Sequence, residues 1–270
     1  AVGVQALLAD TKGNRSVAVG HNALSGQNFT TSTNSFNTAI GHEAGAQVTT
    51  GTFNTLIGAL AGDALTDSDY NVALGYQALT SDTLGSLSVA IGGFALSAQN
   101  FTTAANSFNV GVGYSAGGAI TTGVNNTLIG GLAGDALTDA DFNVAVGSGA
   151  LGGDTLGSRS VAIGYQALVT QNFTTATEVY NTAVGMFAGG SVTTGVSNDI
   201  FGGLAADALT VGSFNSVFGR SALSADTKGS HSVAIGHAAL ATQNFTTATD
   251  AYNVAVGSQA GNDITTGVQN

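Results

Sequence analysis

The sequence contains no cysteine, no tryptophan and no proline, and only five of its 270 residues are lysine or arginine. Without cysteine, neither disulfides nor thiolate metal sites can form, and cysteine usage carries no record of a redox compartment. The shortage of cations and the net charge of −11 exclude a nucleic-acid partner, because neutralising phosphates requires Lys and Arg. No apolar run approaches the 18 residues of a membrane-crossing helix, so the segment is expected not to span a membrane. Charged residues make up 8% of the chain, against about 25% in an ordinary globular domain. A disordered chain of this polarity would be rich in proline and charge, and this one is neither. No cofactor signature is present, and no cofactor is expected.

What the chain does have is glycine, 40 residues of it, and a hydrophobic fraction of 43% drawn largely from Ala and Val. A short phrase recurs: Ser16-Val-Ala-Val-Gly20, Asn37-Thr-Ala-Ile-Gly41, Asn54-Thr-Leu-Ile-Gly58, and onward to Asn253-Val-Ala-Val-Gly257. The phrase glycines are spaced 17, 21, 17 and 17 residues apart, and the pattern repeats without error, giving a 72-residue super-repeat. Periodicity of this kind marks a solenoid, in which each unit packs mainly on its neighbours. The spacing predicts an all-β parallel β-roll, or β-solenoid, of about 15 coils, with residues 1–270 forming a single repetitive segment. At about 4.8 Å per coil the rod is expected to be roughly 67 Å long. Ala1 aligns with Ala73 and Asn270 with Asn54, which predicts an excerpt of a longer fibre.

Within the phrase, the residue before Gly is large and apolar, and the residue two earlier is Val or Thr in most copies. These share one face of a strand, since side chains alternate. Between them stands Ala in most copies: Ala18, Ala39, Ala73, Ala90, Ala145, Ala162, Ala234 and Ala255 among them. A strand apolar on both faces is buried on both. One face fills the coil, and the small alanine face is expected to pack against other chains. Three residues after each phrase Gly stands an invariant Ala, which predicts a second short strand turning inward. Glycine every few residues argues against helix, at about 1 kcal/mol for each interior copy.

The phrase Asn/Ser-Val/Thr-Ala-Ile-Gly-x-x-Ala resembles the YadA-like head repeat of trimeric autotransporter adhesins, a repeat also found in bacteriophage tail fibres. The resemblance covers the whole chain in fifteen in-register copies. It implies a left-handed roll and a homotrimer. The turns at Thr49-Thr50-Gly51, Thr121-Thr122-Gly123, Thr193-Thr194-Gly195 and Thr265-Thr266-Gly267 look more like the phage-type fibres. Coils longer than those usual in adhesin heads imply larger lateral loops.

Several residue groups are candidate sites, each with a plainer reading beside it. Phe29, Phe101, Phe173 and Phe245 recur in the longer coil and are lateral-contact candidates, the alternative being a ring that shields the coil edge. Asn28, Asn100, Asn172 and Asn244 each open an Asn-Phe-Thr glycosylation sequon. Asp67, Asp69, Asp139 and Asp141 have the alternate spacing of calcium ligands, the alternative being solvated turn acids. The third copy has Val211 and Ser213 at the matching positions. Lys12, Arg15, Arg159, Arg220 and Lys228 fall in one coil class with Asp10, Asp82, Asp154 and Asp226, predicting exposed ion pairs. His21, His42, His231 and His237 share no ligand spacing that repeats, so no recurring metal centre is expected. Paired carboxylates could in principle cleave polysaccharide, as in a tailspike, but near-identical loops offer no unique cleft, and the chain is expected not to be an enzyme.

These readings converge on a structural segment of an elongated extracellular fibre, at a cell surface or on a virion. Its partner would be itself, as a homotrimer, with a tip outside the segment meeting a host-surface glycan or protein. An end-to-end polymerising filament is the alternative.

Overall fold

The computed structural model describes residues 1–270 and contains strands and turns but no helix. Two compact units, Ala1–Asp139 and Ala140–Asn270, are built alike. In the first, the phrase forms the three-residue strands Val17–Val19, Thr38–Ile40, Thr55–Ile57, Val72–Leu74, Val89–Ile91, Val110–Val112 and Thr127–Ile129. In the second it forms Val144–Val146, Val161–Ile163, Thr182–Val184, Asp199–Phe201, Ser216–Phe218, Val233–Ile235 and Val254–Val256. Within each unit every strand pairs in parallel with the next without slip, so that Ala39 lies between Ala18 and Leu56, and Ala183 between Ala162 and Ile200. This is the parallel β-solenoid that the period predicts.

Register survives the alternation of coil lengths because the longer coil loops its extra residues out away from the main strand. There they form additional two-residue parallel pairs, Gly13–Asn14 with Thr33–Asn34 and Gly85–Ser86 with Ala105–Asn106 in the first unit. The second unit has Gly157–Ser158 with Thr177–Glu178 and Gly229–Ser230 with Thr249–Asp250.

Two expectations about the coil interior are corrected. The alanines of the phrase do not face outward. Ala18, Ala39, Ala73, Ala90, Ala145, Ala162 and Ala234 are fully buried, and Ala255 is nearly so. They fill the inside of their own coil, while the larger Val, Ile and Leu residues on either side face out. The central residue of each strand faces in, whether Ala or the fully buried Leu56, Leu128, Ile200 and Val217 that replace it in four coils, and its two neighbours face out because side chains alternate along a strand. The segment around the invariant Ala is also not a strand. Residues two and four after the phrase Gly hold φ near +50 to +60°, as at Asn22 (57°), Leu24 (50°), Gln77 (54°) and Leu79 (55°), a conformation closed to strands. This side of the coil is a run of turns. Its amides reach the next coil nonetheless, Leu24 N donating to Ala44 O at 3.0 Å and Gly45 N to Ala61 O at 3.0 Å.

The phrase glycine has no substitute. At Gly20 φ is +136°, and a Cβ there would lie 2.3 Å from the carbonyl oxygen of Gly41 in the next coil. The same approach recurs from Gly41 to Gly58 and from Gly58 to Gly75, so the glycines form a column of backbone in contact with backbone.

The rhythm of four coils is a rhythm of core volume. Four and seven residues after the phrase Gly, successive coils carry Leu79 and Asp82, then Leu96 and Gln99, then Gly117 and Ile120, then Gly134 and Leu137. Where the strand centre enlarges to Leu128, Gly117 and Gly134 make room for it, since a Cβ on either would come within 2.7 Å of a Leu128 methyl. Leu56 stands in the same relation to Gly45 (2.6 Å) and Gly62 (2.8 Å).

A buried polar spine runs beside this apolar filling. Asn54 N donates to Asn37 Oδ1, Asn71 N to Asn54 Oδ1 and Ser88 N to Asn71 Oδ1, each at 2.9 Å. The Nδ2 of each Asn closes its own coil by donating to a turn carbonyl, Asn37 to Gly51 O (2.7 Å) and Asn54 to Ser68 O (2.7 Å). In the longer coil Gln takes over. Gln99 Nε2 donates to Ser88 Oγ (2.8 Å) and to Asp82 Oδ2 (2.5 Å), and its Oε1 accepts from Asn109 Nδ2 (2.9 Å).

Candidate association face and side-chain columns

A strand that buries its central alanine must present its flanking residues outward. In the first unit the residues before Gly are Val19, Ile40, Ile57, Leu74, Ile91, Val112 and Ile129, and in the second Val146, Ile163, Val184, Phe201, Phe218, Ile235 and Val256. Strand pairing stacks them into one column within each unit. Many stay open to solvent despite that stacking: Ile40 at 40%, Leu74 at 42%, Ile163 at 38% and Phe218 at 40%. Phe201 and Phe218 stack at 4.7 Å. Val17, Val72, Val89, Val144, Val161 and Val233 continue the apolar surface one column over. The outward face of the strand is therefore the large-residue face, not the alanines, and it is the candidate association surface.

A second column occupies the corner before the buried Asn. Phe36, Phe53 and Tyr70 stack at 5.1 and 4.8 Å in the first unit, and Phe214, His231 and Tyr252 at 5.0 and 4.9 Å in the second. These residues also hold φ between +49 and +60°, which turns the chain sharply and throws the ring outward. Arg159 lies over Phe142 at 4.9 Å and pairs with Glu178 at 3.1 Å. Hydrogen bonds from the Tyr180 hydroxyl and from Arg159 hold the Glu178 carboxyl below the ordinary range. Phe142, Arg159, Thr177 and Glu178 line a shallow hollow of about 160 Å³.

The remaining sequence candidates fall into place around these columns. Phe29, Phe101, Phe173 and Phe245 are 5–7% exposed and are not lateral bumps. Each closes the long coil over the core, and the Phe101 ring sits so close to Gly85 that a Cβ there would lie 2.8 Å from it. The bulge is an inward packing device because its aromatic has a cavity to fill. Asp82, Asp154 and Asp226 are fully buried, contrary to the expectation of exposed ion pairs. Asp82 Oδ1 accepts from Gly85 N (3.0 Å) and Phe101 N (3.1 Å), so the carboxylate caps the turn that seats the ring. Asp154 and Asp226 repeat the arrangement. The carboxylates of three calcium-ligand candidates are engaged with the preceding coil. Asp67 accepts from Thr50 Oγ1 (2.6 Å), Asp139 from Thr122 Oγ1 (2.6 Å), and Asp69 from both Thr52 N (2.6 Å) and Thr52 Oγ1 (2.8 Å). Asp141 N donates to Ser158 Oγ at 2.9 Å.

Sequence reasoning missed one cluster. His21 and His42 occupy the same position in successive coils and stack at 5.2 Å, with Glu43 beside them. The signal was available, since their separation of 21 residues is one coil length, but a search for repeating spacings passes over a pair that occurs once.

Comparison with curated proteins and with solved structures gave no match. Two segments, residues 156–177 and 228–249, match the YadA head domain repeat. They are the same stretch of successive super-repeats, and each contains a phrase, a Gln of the polar spine and the buried Phe of the long coil. The chain is thus a parallel β-solenoid that carries two copies of a YadA-like head repeat.

Proposed function

We infer that this chain is a structural segment of an elongated extracellular fibre, in which three copies associate through the outward apolar columns of their main sheets. The carrying observation is the column of Val, Ile, Leu and Phe that each unit leaves open to solvent. Contiguous apolar surface of this kind marks a protein–protein contact, and parallel sheets are normally covered on both faces. The YadA-like repeat supports the same reading, since heads of that type are homotrimers. The fibre belongs to a surface adhesin or a phage tail, and its Thr-Thr-Gly turns favour the phage type. Its work is mechanical: to carry a receptor-binding tip to a glycan or protein of the host surface. Commitment of Asp82, Asp154 and Asp226 to amides and glutamines supports a role without catalysis.

Native mass spectrometry tests this directly. A mass three times the 26.4 kDa of the chain is expected. Replacing Ile163, Phe218 and Ile235 together with Asp should yield a monomer, because unpaired charge in an apolar interface cannot be desolvated cheaply. A folded, monodisperse wild-type monomer would overturn the reading.

A further inference from the structure

The position after each phrase glycine is a solvent-facing column, and in the first unit two successive coils place histidine in it. His21 follows Gly20 and His42 follows Gly41. The strands before them pair with Val19 opposite Ile40, so the two imidazoles are brought face to face, 5.2 Å apart and inclined by 12°. Glu43 follows directly, its Oε1 lying 3.9 Å from His42 Nε2 and accepting from Asn22 Nδ2 at 3.4 Å. One ligand atom from each of His21, His42 and Glu43 lies within 4.8 Å of the others. Both imidazoles are exposed and Glu43 is half-buried.

We propose that His21, His42 and Glu43 form a binding site for a single divalent transition-metal ion of the zinc, nickel or copper class. Two imidazoles and one carboxylate suit these ions, whereas calcium and magnesium require more oxygen ligands. Metal–ligand bonds of 2.0–2.1 Å in a tetrahedral site place ligand atoms roughly 3.3 Å apart. Closing from 4.8 Å needs only side-chain rotation, because the backbone beneath is held by the strand ladder and the glycine column. Rotation is open to groups that face solvent. With three protein ligands the fourth position remains free for water or an external donor. The excess of 16 acidic over five basic residues makes the surroundings attractive to a cation. A bound ion would tie two adjacent coils together.

The site is unique in the chain. The matching column in the second unit reads Ser148, Tyr165, Met186, Gly203, Arg220, His237 and Ser258. His237 there has Arg220 and Ser258 as its column neighbours and offers one ligand alone, which makes it the internal control. The site is contained within one chain and does not depend on the trimer.

Isothermal titration of Zn²⁺ into the full chain at neutral pH, in a non-chelating buffer, should give one ion per chain. Affinity should fall about tenfold or more in His21→Ala and in His42→Ala, and should be unchanged in His237→Ala. Co²⁺ should show the intense visible absorption of a tetrahedral site. Binding should weaken on acidification, since protons compete with the metal for the imidazole nitrogens. The substituted side chains are exposed, so circular dichroism should match the wild type. Absence of saturable Zn²⁺ binding overturns the proposal. So does binding that survives His42→Ala, or that His237→Ala weakens equally.

Discussion

At the scale of single residues, the buried asparagines carry more than their size suggests. Asn198 Oδ1 accepts from Asn215 N (3.1 Å) and Asn215 Nδ2 (3.1 Å), and its Nδ2 donates to Gly212 O (2.9 Å). Truncation would strand a backbone amide and a carbonyl in a dry interior, at about 1–3 kcal/mol for each group left unpaired. Asn198→Ala is therefore expected to destabilise the fold by about 2–4 kcal/mol, measurable by denaturant unfolding. Asp207 presents the reverse case. Its Oδ1 is buried without a hydrogen-bond partner, and burial raises its carboxyl above the ordinary 3.8, as at Asp63 and Asp135. The folded chain then holds the proton more tightly than the unfolded one. The stabilisation from this group is complete below the unfolded value and is lost as pH rises through the higher folded value. Asp207→Asn should accordingly raise the thermal midpoint at pH 7, with the gain shrinking toward zero near the ordinary value of 3.8. An equal or lower midpoint at pH 7 would refute this account.

The coil, as an element, is governed by volume traded between positions far apart in sequence. Leu56 at a strand centre and Gly62 in the following turn run share one space, since a Cβ on Gly62 would approach Leu56 Cδ2 to 2.8 Å. Gly62 also holds φ at +55°, though Leu79 keeps a nearly identical φ of 55° at the same coil position. Conformation alone therefore does not demand glycine there; the neighbouring leucine does. Gly62→Ala should cost about 1–3 kcal/mol by overpacking, and Leu56→Ala about 2–5 kcal/mol by leaving a cavity. The double variant should be less destabilised than the sum, with a coupling of about 0.5–3 kcal/mol, read from a double-mutant cycle in denaturant. Strict additivity would mean that the four-coil rhythm has another origin. Much of the element was legible in sequence: the strand, its parallel partners and the glycine column follow from the spacing of 17 and 21. The turn run was not, because alternating positive φ at Asn22 and Leu24 leaves no mark on residue types that tolerate many conformations.

For the whole molecule, the issue is how a chain of net charge −11 would associate with copies of itself in the proposed fibre. Like charges oppose association at long range, but salt screens them, while apolar contact is not screened. The assembly should therefore persist in high salt. Its thermal midpoint should also rise with chain concentration, as in any equilibrium in which folding and association are linked. A midpoint independent of concentration in a demonstrably dissociating sample would point to coils that are stable alone.

Sequence by itself determined the architecture. A period that never slips, glycine where two backbones must touch, and Asn or Ser at every coil opening leave a parallel solenoid as the one arrangement that satisfies them all. Only the tertiary structure decided direction, that is, which side of each strand, bulge and turn faces in. The alternation of Val, Ala and Ile marks two faces but does not say which is the interior; the stacked coil does, by enclosing the one central residue, Ala39 or Leu56 alike, and leaving its two neighbours outside. The same limit applies to Asp82, whose type suggests exposure in a loop, and to Phe101, open in sequence to either a lateral contact or a ring shielding the coil edge; the burial of both follows only once the coils are stacked. His21 and His42, a coil apart in sequence, meet for the same reason.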